Sequence, residues 1–294
     1  MLAMVPIGLA VAAAQLGGGC AGSKGAERSS RSSDEGFVAR QKLARELVAR
    51  ADWGRAFAML DELHRERPED ADVLTLRGIV YREKGLFADA EADLKDAIKQ
   101  APGSAEAHAA LGIVYDVQMR PEAEAEHREA VRLAPKNPAY LNNLGFSLYL
   151  RQHFKEAVNV YESAARLTPL SRRVRTNLGF ACAALGDLRR AAREFQMGGS
   201  EAEAKNNLGF AYERRGDMAN AYDLYVEALR LDPKIERARS NLVHAAVVLG
   251  RPVPPEAAAP APSSAANTDS GEAAAGGGVA KEIPSDATNK EAHP

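Results

Sequence analysis

Four asparagines recur at near-regular spacing: Asn143, Asn177, Asn207 and Asn241, each followed by leucine. The first three open the tetrapeptide Asn-Leu-Gly-Phe and the fourth opens Asn-Leu-Val-His. A carboxamide offers both a donor and an acceptor, the complement of one peptide unit. A row of such amides can hold the backbone of an extended chain, which is recognition chemistry and not bond making. Phe146, Phe180 and Phe210 stand three residues after the first three asparagines and could anchor apolar side chains of a bound segment. The same rings could equally pack between helices as core. The residue before each asparagine is polar: Asn142, Thr176, Asn206 and Ser240. Arg173 and Arg237 could pair with a carboxylate on a partner, although a solvated charge is the plainer account of each.

Little else in the chain could react. The six histidines form no His-Glu-x-x-His spacing, and neither Gly-x-x-x-x-Gly-Lys nor Gly-x-Ser-x-Gly occurs. Cys182 falls inside a helical pattern, where it serves as a small apolar residue. Trp53, the only tryptophan, begins a helix and is explained by packing. No catalytic residue, metal site, cofactor or small-molecule substrate is expected. The formal net charge of −2 gives no electrostatic footing for nucleic acid.

The elements that carry these residues repeat. The asparagines at 143, 177, 207 and 241 are separated by 34, 30 and 34 residues, the signature of a stacked structural unit. Positions 37–235 divide without gaps into 37–70, 71–104, 105–137, 138–171, 172–201 and 202–235, and 236–250 adds one helix. In 202–235 the frame is Leu208, Gly209, Tyr212, Gly216, Ala221, Tyr225, Ala228 and Pro233. In 71–104 it is Gly78, Tyr81, Gly85, Ala90, Leu94, Ala97 and Pro102, and in 138–171 it is Leu144, Gly145, Ala157, Tyr161, Ala164 and Pro169. Each position has a physical reason. The small residues let two helices approach closely, glycine near the fifteenth position turns the chain, and proline near the thirty-second ends the second helix.

This pattern resembles the tetratricopeptide repeat over 199 of 294 residues. The resemblance implies an all-α, right-handed superhelical solenoid of six helix-turn-helix repeats with a C-terminal capping helix, and a protein or peptide partner. In that family the first helix of each repeat lines a concave groove. The row Asn143, Asn177, Asn207 and Asn241 is similar to the asparagine ladder in the superhelical domain of O-linked N-acetylglucosamine transferase, whose amides bond the backbone of an extended peptide. Leu76 and Ala110 occupy the same position in earlier repeats, so such a ladder is confined to the C-terminal half. The alternative is that asparagine is simply common at this point of the family pattern. In 172–201 the second helix should stop early, at Gly198-Gly199, and distort the stack.

The flanks differ in composition. Leu2–Ala14 is apolar and free of charge, and Gly17-Gly18-Gly19 precedes Cys20. This resembles a bacterial lipoprotein signal peptide, in which Cys20 would be lipidated and anchor the chain to a membrane; a plain secretory signal and a weak membrane anchor are the alternatives. Ala21 after the cysteine then points to the outer membrane. Residues 21–36 read as a flexible tether. Residues 251–294, rich in Ala, Pro, Gly and Ser with no leucine and no aromatic residue, read as disordered. Secreted tetratricopeptide lipoproteins of this build resemble those of Tad (Flp) pilus and type IV pilus assembly. The expected function is a non-catalytic envelope scaffold; a cytoplasmic adaptor or chaperone, or a regulatory subunit of an envelope enzyme complex, are the alternatives.

Overall fold

The computed structural model describes residues 22–255, with side chains from Asp34 onward. The expected signal segment with Cys20, and residues 256–294 of the expected tail, lie outside the described residues. Among the described residues there are thirteen α-helices and no strand. Helices α1 (Gly22–Ala49) and α2 (Trp53–Glu66) form the first pair, and α3 (Ala71–Glu83) and α4 (Phe87–Gln100) the second. Then come α5 (Ala105–Val117) with α6 (Ala123–Leu133), and α7 (Pro138–Leu150) with α8 (Phe154–Leu167). The last pairs are α9 (Arg172–Ala184) with α10 (Leu188–Gly198), and α11 (Glu201–Arg214) with α12 (Met218–Leu231); α13 (Glu236–Leu249) closes the stack. No helix among the described residues is long and apolar enough to cross a membrane.

The backbones of successive odd-numbered helices approach closely, whereas those of successive even-numbered helices do not and are bridged by long side chains such as Arg128 with Glu156 and Arg190 with Glu162. The odd helices therefore form a tight inner layer and the even helices a splayed outer layer, which is the curvature of a superhelical solenoid.

Local sequence accounts for the breaks. Inner helices begin at side-chain caps: Asp70, Ser104, Ser171 and Ser200 each accept a bond from the backbone N–H three residues on. The turn after an inner helix needs a left-handed residue. Gly186 supplies it with φ +91, but Met119 and Gln152 fill the same role at φ 56 and 62. A side chain there costs roughly 1 kcal/mol or more, partly offset by the chain entropy that glycine loses. Met119→Gly and Gln152→Gly are each expected to raise stability by about 0.5–1 kcal/mol, read from the urea midpoint; an unchanged or lower midpoint would show that the turn relaxes at no cost.

Close packing fixes the pairs. A Cβ on Gly145 would stand 2.7 Å from the Tyr161 ring, which has no exposure. The equivalent outer-helix position is filled by Leu60, Leu94, Phe195 and Tyr225, all buried.

Two expectations at the flanks change. In place of a flexible tether over 21–36, α1 runs back to Gly22 as a single helix of 28 residues. Once Phe37 packs, at 1% exposure, each added helical residue costs little, and Ala26, Glu27 and Arg28 favour helix. Arg67 then pairs with Asp34 and covers the Phe37 ring at 4.0 Å. At the other end the chain is not free from residue 251 on. The Tyr222 hydroxyl donates to the Pro252 carbonyl at 3.0 Å, and Arg251 lies over the Tyr222 ring at 5.0 Å.

Candidate peptide-binding cleft

Helix α10 has 11 residues against 14 in α12, and its last residue leads into Gly199 in a fully extended conformation. Where the missing turn would stand, a cavity of about 370 Å³ opens between the N-terminal ends of α9, α11 and α13. Arg172, Thr176, Phe180, Asn206, Asn207 and Arg237 line it. Gly198 forms part of the wall because nothing larger fits: a Cβ there would sit 3.0 Å from the Arg175 Cβ and 3.1 Å from the Thr176 hydroxyl.

The rim is organised by Glu203. Its carboxylate accepts from the Ser200 N–H at 2.8 Å and the Ser200 hydroxyl at 3.0 Å, and it pairs with Arg172. Burial pushes this carboxyl up, but the Ser200 bonds and Arg172 outweigh burial and hold it below the usual carboxylate range.

The asparagines divide into two groups. The Asn177 amide donates to the Asn142 carbonyl at 3.0 Å, and the Asn241 amide to the Asn206 carbonyl at 3.1 Å. Each bond joins one inner helix to the inner helix before it. Asn142, Asn143 and Asn177 are 2%, 3% and 0% exposed, so these three amides lie inside the inner layer and not on its surface. Asn207 and Asn241 are half-buried, and of the expected ladder only Asn207 lines the cavity. Asn206 joins it there, with an edge toward the cavity although nearly all of the residue is buried. Arg237 is exposed and lines the cavity; Arg173 is exposed and lies outside it.

The phenylalanines are chiefly core. Phe180 meets Phe195 edge-on at 4.8 Å and Phe210 at 5.8 Å, and Phe146 packs on the same cluster. Phe180 alone of the three also lines the cavity.

A second cavity, about 200 Å³, lies on the other side of Phe180. Its walls are Tyr149, Phe154 and Phe180, its floor includes Ala184 and Ala211, and Arg214 and Arg215 stand at its edge. Sequence reasoning missed it; the signal was present in Tyr149 and Arg214, which fall late in their inner helices, at groove-facing positions.

A buried polar cluster was also missed. The Asp116 carboxylate meets His127 Nε2 at 2.9 Å and accepts from the Ser147 hydroxyl at 2.9 Å and Arg151 at 2.9 Å. The residue types suggest hydrolytic chemistry, but the hydroxyl donates to the carboxylate instead of to the imidazole, so no base activates it. Burial pushes the Cys182 thiol up to about 11, which keeps it protonated and unreactive. No cluster of three His, Cys, Asp or Glu placed to hold a metal occurs among the described residues.

Comparison with known proteins agrees with this architecture. A model of the tetratricopeptide repeat matches residues 42–105, 75–138 and 143–198, and a second matches 202–235. The type IV pilus assembly protein PilF of Pseudomonas aeruginosa is 35% identical over 116 residues, which cover 38% of this chain and 46% of PilF. The BBSome complex member BBS4 of Bos taurus is 25% identical over 197 residues, covering 65% of this chain and 38% of that protein. The chain thus spans less than half the length of either curated relative. Among solved structures, Pseudomonas aeruginosa pilF superposes with a TM-score of 0.57 at 20% identity, over 72% of this chain and 98% of that one. YrrB, described as a TPR protein with an unusual peptide-binding site, superposes with a TM-score of 0.50 at 23% identity, over 63% of this chain and 96% of its own. At these identities the two structures establish likeness of fold.

Proposed function

The chain belongs to the tetratricopeptide repeat family, and from that premise we propose that it is a non-catalytic scaffold holding an extended segment of a partner protein between α9, α11 and α13. The observation that carries this reading is the cavity at the shortened α10, lined by Thr176, Asn206 and Asn207, of which the half-buried Asn207 is the most accessible. Amides of this kind bond a peptide backbone of any sequence, and the inner layer supplies the curvature that surrounds it. We further propose that the scaffold is an envelope lipoprotein, anchored through Cys20 at the outer membrane, that aids assembly of a pilus or secretion complex. The stretch of 116 residues shared with a type IV pilus assembly protein supports that role.

A photo-crosslinking amino acid placed at Asn207 in cells tests the cleft, with the exposed outer-helix residue Ala92 as the control position. The expected result is an adduct from position 207, identified by mass spectrometry as a pilus or secretion-assembly protein, with none from position 92. Equal labelling at the two positions, or none at 207, would remove the cleft from the proposal. Radiolabelled palmitate should enter the wild-type chain and not Cys20→Ser; an unlabelled wild-type chain would remove the anchor.

A further inference from the structure

The two cavities lie on either side of Phe180 and together follow α9, one near Arg172 and the other near Ala184, as a cleft divided by that ring. A helix of 13 residues is about 20 Å long, which accommodates roughly six residues of extended chain. The two ends of the cleft differ in chemistry. The end near Asn206 and Asn207 is polar and suits backbone atoms. The end near Tyr149 holds about 200 Å³, less than the roughly 300–1,000 Å³ of a small-molecule site and closer to the volume of one large side chain.

That end is selective. Three alanines, Ala183, Ala184 and Ala211, line it, and their small side chains leave room for a ring. Its lining is aromatic: Tyr149 and Phe154 stand 5.4 Å apart with planes inclined at 59°, and Phe180 lines the same cavity. Rings arranged in this way favour an inserted ring through edge-to-face contacts. No carboxylate lines the cavity, and its only charged lining residues are Arg214 and Arg215. The Arg215 guanidinium spends one donor on a long bond of 3.5 Å to the Ala183 carbonyl, and both arginines are exposed.

Resting on the reading of the cleft as a peptide site, we infer that it selects an internal segment of its partner in which an aromatic residue adjoins an Asp or Glu. The ring enters between Tyr149 and Phe180 above Ala184. The acidic side chain meets Arg214 and Arg215, and the remaining residues run along α9 to Asn206 and Asn207.

Selection of random hexapeptides displayed within a longer chain, so that no free carboxy terminus is offered, tests this on the purified full-length protein. The expected consensus is an aromatic residue next to Asp or Glu. A synthetic consensus peptide, blocked at both ends and fluorescein-labelled, should lose about tenfold or more in affinity for Ala184→Trp, which fills the pocket from an exposed position. It should lose as much for the double variant Arg214→Glu/Arg215→Glu, and recover binding there when its acidic residue is exchanged for Lys. A consensus without the aromatic–acidic pair, or binding indifferent to Ala184→Trp, overturns the inference. If such peptides still lose affinity for Asn207→Trp, the cleft remains a peptide site and only its stated specificity falls. Absence of any enriched peptide removes the peptide site together with the inference.

Discussion

Asp116→Ala is expected to lower stability by about 3–5 kcal/mol, a large part of what a domain of this kind has in total. The carboxylate, on α5, is 6% exposed and serves three donors from two other helices: His127 on α6, and Ser147 and Arg151 on and just after α7. Arg151 also bonds the Ser147 carbonyl at 2.9 Å and the Arg120 carbonyl, so the cluster ties the third repeat to the fourth. Removing the carboxylate leaves the His127 imidazole buried without this partner and the Arg151 guanidinium with carbonyl acceptors but no counter-charge, which is more costly than the lost bonds themselves. Asp116→Asn keeps the shape and one acceptor oxygen and should lose roughly half as much. Urea unfolding followed by circular dichroism measures both. A loss under about 1 kcal/mol for Asp116→Ala would show that the cluster breaks even and contributes register alone.

Phe195→Ala is expected to cost about 3–5 kcal/mol as well, and to reach the cleft. Phe195 is 1% exposed and lies directly over Gly179, where a Cβ would approach its ring to 2.5 Å. Its other face supports Phe180, the ring that separates the two cavities. With the support gone Phe180 can fall into the void, and the cleft loses its dividing wall. Binding of a cleft peptide should then fall more than the population of folded protein accounts for, with Phe195→Leu intermediate in both readouts. Full affinity in a destabilised but folded Phe195→Ala would mean that Phe180 keeps its place without help.

The helices and their pairing were legible because close approach is a local demand. Gly145 must be small for Tyr161 to cover it, and that requirement shows in the tetrapeptide itself. The short helix was legible for the same reason, as an interval of 30 between Asn177 and Asn207. The asparagines were not separable by sequence. Asn177 finds a carbonyl on Asn142 and Asn241 finds one on Asn206, while the residue in register with Asn207 is Thr176, and the Asn207 carbonyl instead accepts a long bond of 3.4 Å from its neighbour Asn206. Identical residues thus became clasp or cleft according to a partner about one repeat away. Likewise the helix formers Ala26, Glu27 and Arg28 are outnumbered by serine and glycine in residues 22–36, and the helix is set by Phe37 and its contact with Arg67.

The pattern of clasps has a mechanical meaning. Amide bonds join the fourth repeat to the fifth and the sixth to the closing helix, but among the described residues none in that register joins the fifth to the sixth. That joint has instead the Arg172–Glu203 pair, whose side chains are 57% and 36% exposed. Ionic screening shortens from about 10 Å at 0.1 M salt to about 3 Å at 1 M, which weakens such a pair and leaves neutral amides nearly untouched. The C-terminal half of the solenoid is therefore a spring of uneven stiffness, with one coil that lacks an amide clasp and leans on a salt-sensitive pair. That coil is the one on which the cleft opens.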